Sequence, residues 1–142
     1  MHHVAIMNKS WKMIPKILSG EKTVESRWYV TRRAPWGRIR KDDTVFFKNA
    51  GARVTAQARV SRILQFILED VHATRRIIAK YGKSICLPNP DPESWPRLPR
   101  YCVLIFLKNP KAVKKPFQIN KKGFGAGAGW ITLTDIRHIA VV

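Results

Sequence analysis

Short alternating apolar runs fill most of the chain, broken by glycine, proline and clusters of lysine and arginine. Val4 to Lys9 is long enough for one strand. Ser10 or Trp11 can cap a helix that reaches Leu18, with Gly20 as its left-handed stop. Pro15 then falls in or near the first turn, where a missing N–H matters least. From Lys22 to Val30 the alternation is clean. Val24, Ser26, Trp28 and Val30 share one face, and Thr23, Glu25, Arg27 and Tyr29 the other. Thr31 to Lys41 is basic and turn-rich around Pro35-Trp36-Gly37, which predicts an exposed loop.

Thr44 to Lys48 and Arg53 to Phe66 predict a hairpin across Asn49-Ala50-Gly51-Ala52. In its second arm Val54, Ala56, Ala58, Val60, Leu64 and Phe66 keep an apolar alternation that breaks at Arg62. Asp70 opens a helix through Val71, Ile77, Ile78 and Tyr81, with Gly82 as its end. Pro88, Pro90, Pro92, Pro96 and Pro99 mark an extended connection that is neither helix nor central strand. Tyr101 to Leu107 is a continuous apolar run of strand length, the pattern of a strand buried on both faces. Phe117 to Ile119, Trp130 to Leu133 and Ile136 to Val142 supply further short strands. Short strands with two helices predict an α+β fold around a small twisted or barrel-like sheet.

Charge changes this picture more than size does. The 142 residues are 45% hydrophobic and 25% charged, globular composition on the scale of one domain. Lys and Arg number 27 against 9 Asp and Glu, a net charge of +18 that favours polyanionic partners. No apolar run approaches the roughly 20 residues of a membrane helix, and no secretory leader pattern opens the chain. Cys86 and Cys102 lack metal-ligand spacing and have no neighbouring His, and His72 and His138 have no such spacing either. A reduced, cytoplasmic protein without metal or other cofactor is the expectation.

The densest chemistry lies at Gly20-Glu21-Lys22-Thr23-Val24-Glu25-Ser26-Arg27, a G-x-K-x-x-E-x-R array at a helix-to-strand junction. Alternation puts Glu25 and Arg27 on one face, and the turn lets Lys22 swing round to join them. A carboxylate between two cations stays ionised. An exposed sheet face with ordinary ion pairs would give the same pattern, so physics leaves both readings open.

This array resembles the signature of the ASCH domain family, of the PUA-like superfamily of small β-barrels. Ile14-Pro15-Lys16-Ile17-Leu18-Ser19 is similar to the family's helix before the glycine. Ile39 to Phe47 is similar to its apolar, Gly-Asp, strand element, with Asp42 where glycine is usual. The resemblance implies a PUA-like small mixed β-barrel with two or three flanking helices. It spans 1–142 as one domain, with a Pro-rich connection at 88–100 and a Gly-rich loop at 123–129. It also implies association with RNA. One bacterial branch of the family hydrolyses acetylated cytidine nucleosides with a Lys, a Thr and a Glu. Its Lys matches Lys22, but Glu25 stands where its Thr falls, and Tyr81-Gly82-Lys83-Ser84 where its Glu falls. Other relatives are described as ribonucleases, which implies an alternative role for Lys22, Glu25 and Arg27 as catalytic residues, with Glu25 as general base.

Basic and aromatic residues widen the predicted RNA-binding set. Arg32, Arg33, Trp36 and Arg38 form a loop that can stack a base and hold phosphates, although Trp36 could equally anchor the loop to the core. Lys48, Lys121 and Lys122 join them, the last two leading into Gly123-Phe124-Gly125-Ala126-Gly127-Ala128-Gly129. That glycine run is neither a Walker loop nor a dinucleotide fingerprint, since strand rather than helix follows. It reads as a mobile hairpin loop that at most touches an RNA backbone. The expected partner is RNA with exposed bases, held through Lys22, Glu25 and Arg27. DNA and the oligomeric state are left open, and a membrane is not expected.

Overall fold

The structure, a computed structural model, describes residues 1–125 and 127–141. Its β-strands are β1 (His2–Met7), β2 (Val24–Tyr29), β3 (Thr44–Asn49), β4 (Val54–Ile67), β5 (Tyr101–Ile119), β6 (Trp130–Leu133) and β7 (Ala140–Val141). Two α-helices, α1 (Met13–Ser19) and α2 (Val71–Ile85), flank the sheet. The strands run in the order β2-β5-β4-β3-β1-β6, with β7 on the far part of β5. β1 and β3 are parallel and every other pair is antiparallel. The result is a curled mixed sheet, a half-barrel of α+β class, as the strand pattern predicts.

Curling has a local cause. Register shifts interrupt the β4–β5 ladder in three places, one of them between Val60 and Arg62, where the apolar alternation breaks. Each extra residue bends the strand and steepens its twist. Val103 and Ile105 of β5 then face the main core with Ala5, Val45, Phe47, Ala56 and Val60, while Cys102 and Leu104 face α2 through Ile77 and Ile85. A third cluster, Val4, Phe46, Val54, Ile131 and Ile136, closes the opposite end.

Several boundaries differ from the sequence pattern. α1 starts after Lys12, in left-handed conformation, and neither Ser10 nor Trp11 caps it; Asn8 instead caps a 3₁₀ turn at Lys9–Trp11. Gly20 is the left-handed stop at φ 83°. α2 begins at the Asp70 cap but runs through Gly82 to Ile85, because Ile85 buries fully in the second cluster. Phe117 to Ile119 continues β5 instead of forming its own strand. Ile136 opens a 3₁₀ turn before β7, and Val142 lies outside the described residues. Asp42 has φ 72°; aspartate is among the few residues that tolerate this region.

Candidate functional site

β2 is an edge strand, so one of its backbone edges is left open by the sheet. The helix stop at Gly20 delivers Lys22 to its start, and the strand alternation brings Glu25 and Arg27 to the same side. Lys22 is 2% exposed and folds back on Glu25, Nζ to Oε1 3.2 Å. Its Nζ also donates to the carbonyls of Val24, at 3.0 Å, and Ile85. An ammonium has three protons, and all three are engaged. Arg27 Nη2 donates to Glu25 Oε2 at 3.1 Å, and Nη1 donates to the Gly129 carbonyl at 3.1 Å. The Ser26 amide donates to Glu25 Oε1.

Burial alone would raise the Glu25 pKa. The charges of Lys22 and Arg27, with the hydrogen bonds from Lys22 and the Ser26 amide, outweigh it and hold the carboxyl below its usual range. Lys22, Glu25 and Arg27 therefore form a buried charge cluster in which the two cations favour Glu25 as a carboxylate. The exposed-face alternative does not hold.

A pocket of about 520 Å³ opens over this cluster. Trp11, Trp28, Tyr29 and Trp95 line it, with Met7 and Met13 deeper and Pro88, Asn89 and Pro96 along one rim. Trp28 and Trp95 meet edge to face at 5.3 Å, and their indole N–H groups donate to Ser26 Oγ and the Asn89 carbonyl. Aromatic faces are thereby fixed at one end while an apolar surface remains for a ligand. The Pro-rich connection forms a wall of the pocket. Its prolines predict only an extended connection, and the one sequence signal for a wall was Trp95 standing among prolines in a polar stretch.

Arg27 is seated from beneath. Its guanidinium carbon lies 5.1 Å from the Trp130 ring centroid. Trp130 Nε1–H donates to His3 Nδ1 at 3.1 Å, so the His3 proton sits on Nε2 and is donated to Asp43 at 2.8 Å. Desolvation lowers the His3 pKa despite Asp43, and the ring is neutral at neutral pH. The chain Asp43–His3–Trp130 was missed in the sequence, because two adjacent histidines at a terminus carry no spacing signal.

The remaining predicted residues divide into two groups, neither lining the pocket. Arg32 packs over Trp36 at 5.7 Å and over Tyr101 at 5.3 Å, and Arg33 over Tyr29 at 5.5 Å. Trp36 is half-buried against the main core and Tyr101, so it anchors the loop instead of presenting a free face; Arg38 is exposed beside it. Lys48 is buried near Lys121, with Lys122 exposed next to it. Of the glycine run, Ala126 lies outside the described residues. Gly129 nonetheless belongs to the site, since its carbonyl accepts from both Arg27 and the Ile6 amide.

Among the described residues, Glu25 is the sole carboxylate lining the pocket. No group of three His, Cys, Asp or Glu side chains converges among the described residues. No helix among them is long and apolar enough to cross a membrane.

No family model and no curated protein matches the chain at the level of sequence. Solved structures do. Crystal structures of ASCH from Zymomonas mobilis superpose over 94% of this chain and 87% of theirs, at TM-score 0.60 and 18% identity. A tyrosine-to-phenylalanine mutant of that protein gives TM-score 0.64 at 18% identity, over 96% of this chain and 93% of its own. The fold is that of an ASCH domain. Identity this low speaks to architecture alone, and the order of helix, signature strand and curled sheet agrees with it. In this chain the G-x-K-x-x-E-x-R array falls at the junction of α1 and the edge strand β2, beneath the pocket.

Proposed function

We propose that this protein binds RNA and takes one unpaired base into the pocket above Glu25 and Arg27. The observation that carries the reading is the pairing of aromatic walls with a buried carboxylate at the floor. Trp11, Trp28 and Trp95 offer stacking faces, worth about 1–3 kcal/mol per base. Glu25 is acceptor-only when ionised and can take an amino group from a base edge, as carboxylates do from cytosine. The +18 charge supplies sequence-independent affinity for the backbone.

Lys22 has a different role from the one its position suggested. With its protons engaged, it holds Glu25 in place and does not reach a phosphate. Arg27, pinned between Glu25, Gly129 and Trp130, is likewise a fixed wall of charge. Fluorescence anisotropy of single-stranded oligonucleotides tests the proposal. Binding should weaken by about two to three orders of magnitude between 50 and 200 mM salt if six phosphates are contacted. Trp95→Ala should cost about tenfold or more at any salt. No binding at 50 mM, or binding indifferent to Trp95→Ala, overturns it.

The pocket volume, within the range of small-molecule sites, also suits a second reading as a nucleoside amidohydrolase. Two observations weigh against it. A carboxylate held below its usual pKa is a poor general base, and Thr23 is exposed and does not line the pocket. Acetate release from acetylated cytidine, abolished by Lys22→Ala, would favour the enzyme; no turnover by the folded protein favours the binder.

A further inference from the structure

The backbone hydrogen bonds of β2 fix which of its residues face the open edge. The Leu107 amide donates to the Thr23 carbonyl at 2.9 Å, and the Arg100 amide to the Tyr29 carbonyl at 2.8 Å. The odd-numbered residues of this stretch therefore turn their backbone groups toward β5. Backbone groups alternate between the two edges of an antiparallel strand, so those of Val24, Ser26 and Trp28 face away from the sheet. Two side-chain contacts agree with that parity. Lys22 Nζ reaches the Val24 carbonyl at 3.0 Å, and the Ser26 amide donates to Glu25 Oε1 at 3.0 Å.

That edge opens into the pocket. Glu25, Arg27 and Tyr29 line it from one face of β2, and Ser26 and Trp28 from the other, so the cavity straddles the strand's rim. Among the described residues, nothing pairs with the Ser26 carbonyl or the Trp28 amide. A free edge ordinarily invites another strand. Here side chains already occupy the Val24 carbonyl and the Ser26 amide, which blocks the start of any new ladder. What remains is short and ordered. The Glu25 carboxylate stands beside the Ser26 amide, the Ser26 carbonyl comes next, and the Trp28 amide follows. Glu25 Oε2 keeps an acceptor site beyond its bond from Arg27, so the order is acceptor, acceptor, donor.

We propose that this edge reads the Watson–Crick face of guanine: Glu25 accepts from the 2-amino group, the Ser26 carbonyl accepts from N1–H, and the Trp28 amide donates to O6. The choice of base rests on the RNA reading above. Guanine is the one standard base whose face runs donor, donor, acceptor. Uracil offers a single N–H between two carbonyls, one of which would meet the carboxylate. Adenine and cytosine have one donating atom on this face, their amino nitrogen, so one of the two acceptors is left without a donor of its own. Unpaired bases stacked on aromatic side chains are commonly read along this face. The Trp28 indole N–H donates to Ser26 Oγ at 2.9 Å, which ties together the two residues whose backbone does the reading.

Backbone groups cannot be deleted by mutation, so the test alters the base and keeps the wild-type protein. Fluorescent oligouridines carrying one central guanosine, adenosine, cytidine or uridine are titrated at low salt. Guanosine should bind about tenfold or more tighter than the other three, the discrimination of a good two-point base contact. Inosine, which lacks the 2-amino group, should lose about fivefold or more. 1-Methylguanosine, which lacks N1–H, should lose the whole preference, while 7-deazaguanosine, altered away from this face, should bind as guanosine does. Stacking on the tryptophans favours purines whatever their polar edge. Inosine and 1-methylguanosine binding as tightly as guanosine would therefore overturn the proposal. Equal affinity for the four bases, or preference for another one, also overturns it, and the pocket reading stands if Trp95→Ala still weakens binding. Failure of every oligonucleotide to bind overturns the pocket reading instead.

Discussion

Glu25 is favoured as a carboxylate where little water reaches it, because Lys22 and the Ser26 amide hold its Oε1 and Arg27 its Oε2, leaving an acceptor site on Oε2. Removing one member of such a group is more damaging than removing a whole pair, because it strands an uncompensated charge. Glu25→Gln should therefore cost about 3 kcal/mol in urea unfolding. Adding Lys22→Met to it should cost less than the sum of the two single changes, since the stranded ammonium is then gone. A strictly additive double mutant would show that the two residues do not act as a unit. The pH dependence has a definite sign. The Glu25 pKa is lowered by folding, so its contribution is complete above the unfolded value of about 4.3 and is lost as pH falls through the folded value. His3 works in the same direction from a higher pH. Its folded pKa lies below the unfolded value of about 6.5, so the unfolded chain takes up the proton first and stability declines as pH drops below that point. Wild-type stability should decline below the His3 value and again through the carboxylate range, where Glu25→Gln should shrink the loss without abolishing it, because Asp42, Asp43 and Asp135 are also held below their usual values.

At the scale of elements, α2 shows where local signals and tertiary packing compete. Gly82 reads as a stop, yet the helix continues one turn because Ile85 is drawn into the cluster with Cys102 and Leu104. Cys86 then takes the left-handed cap, its N–H donating to the carbonyls of Gly82 and Lys83. Gly82 is thus an interior helical glycine, and Gly82→Ala should stabilise the protein by about 0.5 kcal/mol. The added methyl would lie 3.3 Å from Ile78 Cγ2, a half-buried side chain able to shift slightly. Destabilisation in urea unfolding would mean that Ile78 cannot move. The same competition decided what the sequence made legible. Strands whose faces differ, such as β2 and the first half of β4, were readable, because alternation records which side meets the core. The far half of β5 was not. There Phe117 to Ile119 read as a separate strand because Pro110, Pro116 and the lysines interrupt the apolar pattern, but the edge that β2 leaves after Phe106 stays unpaired until β7, so prolines fit there. The signature triad was legible as three charges at a junction. The pocket over it was not, because Trp11, Trp28 and Trp95 come from three separate segments that only the tertiary fold unites.

For the whole molecule, the excess of cations acts on folding and on the proposed RNA binding with opposite signs. Of nine carboxylates, Glu25, Asp42, Asp43, Asp91, Glu93 and Asp135 are already committed to ion pairs. Glu21, Glu69 and Asp70 cannot offset the 27 lysines and arginines, so long-range repulsion exceeds attraction across the surface. Salt shortens the reach of those interactions, from about 30 Å at 0.01 M to about 10 Å at 0.1 M. Screening a repulsive surface stabilises the folded state, whereas screening an RNA complex weakens it by favouring counterions over phosphate contacts. The Lys22–Glu25–Arg27 cluster is less affected, since buried charge pairs are screened less than exposed ones. Thermal unfolding of the free protein should therefore shift to higher temperature as sodium chloride rises through this range, while the RNA affinity proposed above should fall over the same range. A midpoint that stays flat or drops would mean that the surface lysines and arginines do not repel one another appreciably in the folded protein. Their number would then reflect the demands of binding alone, with no cost to the fold.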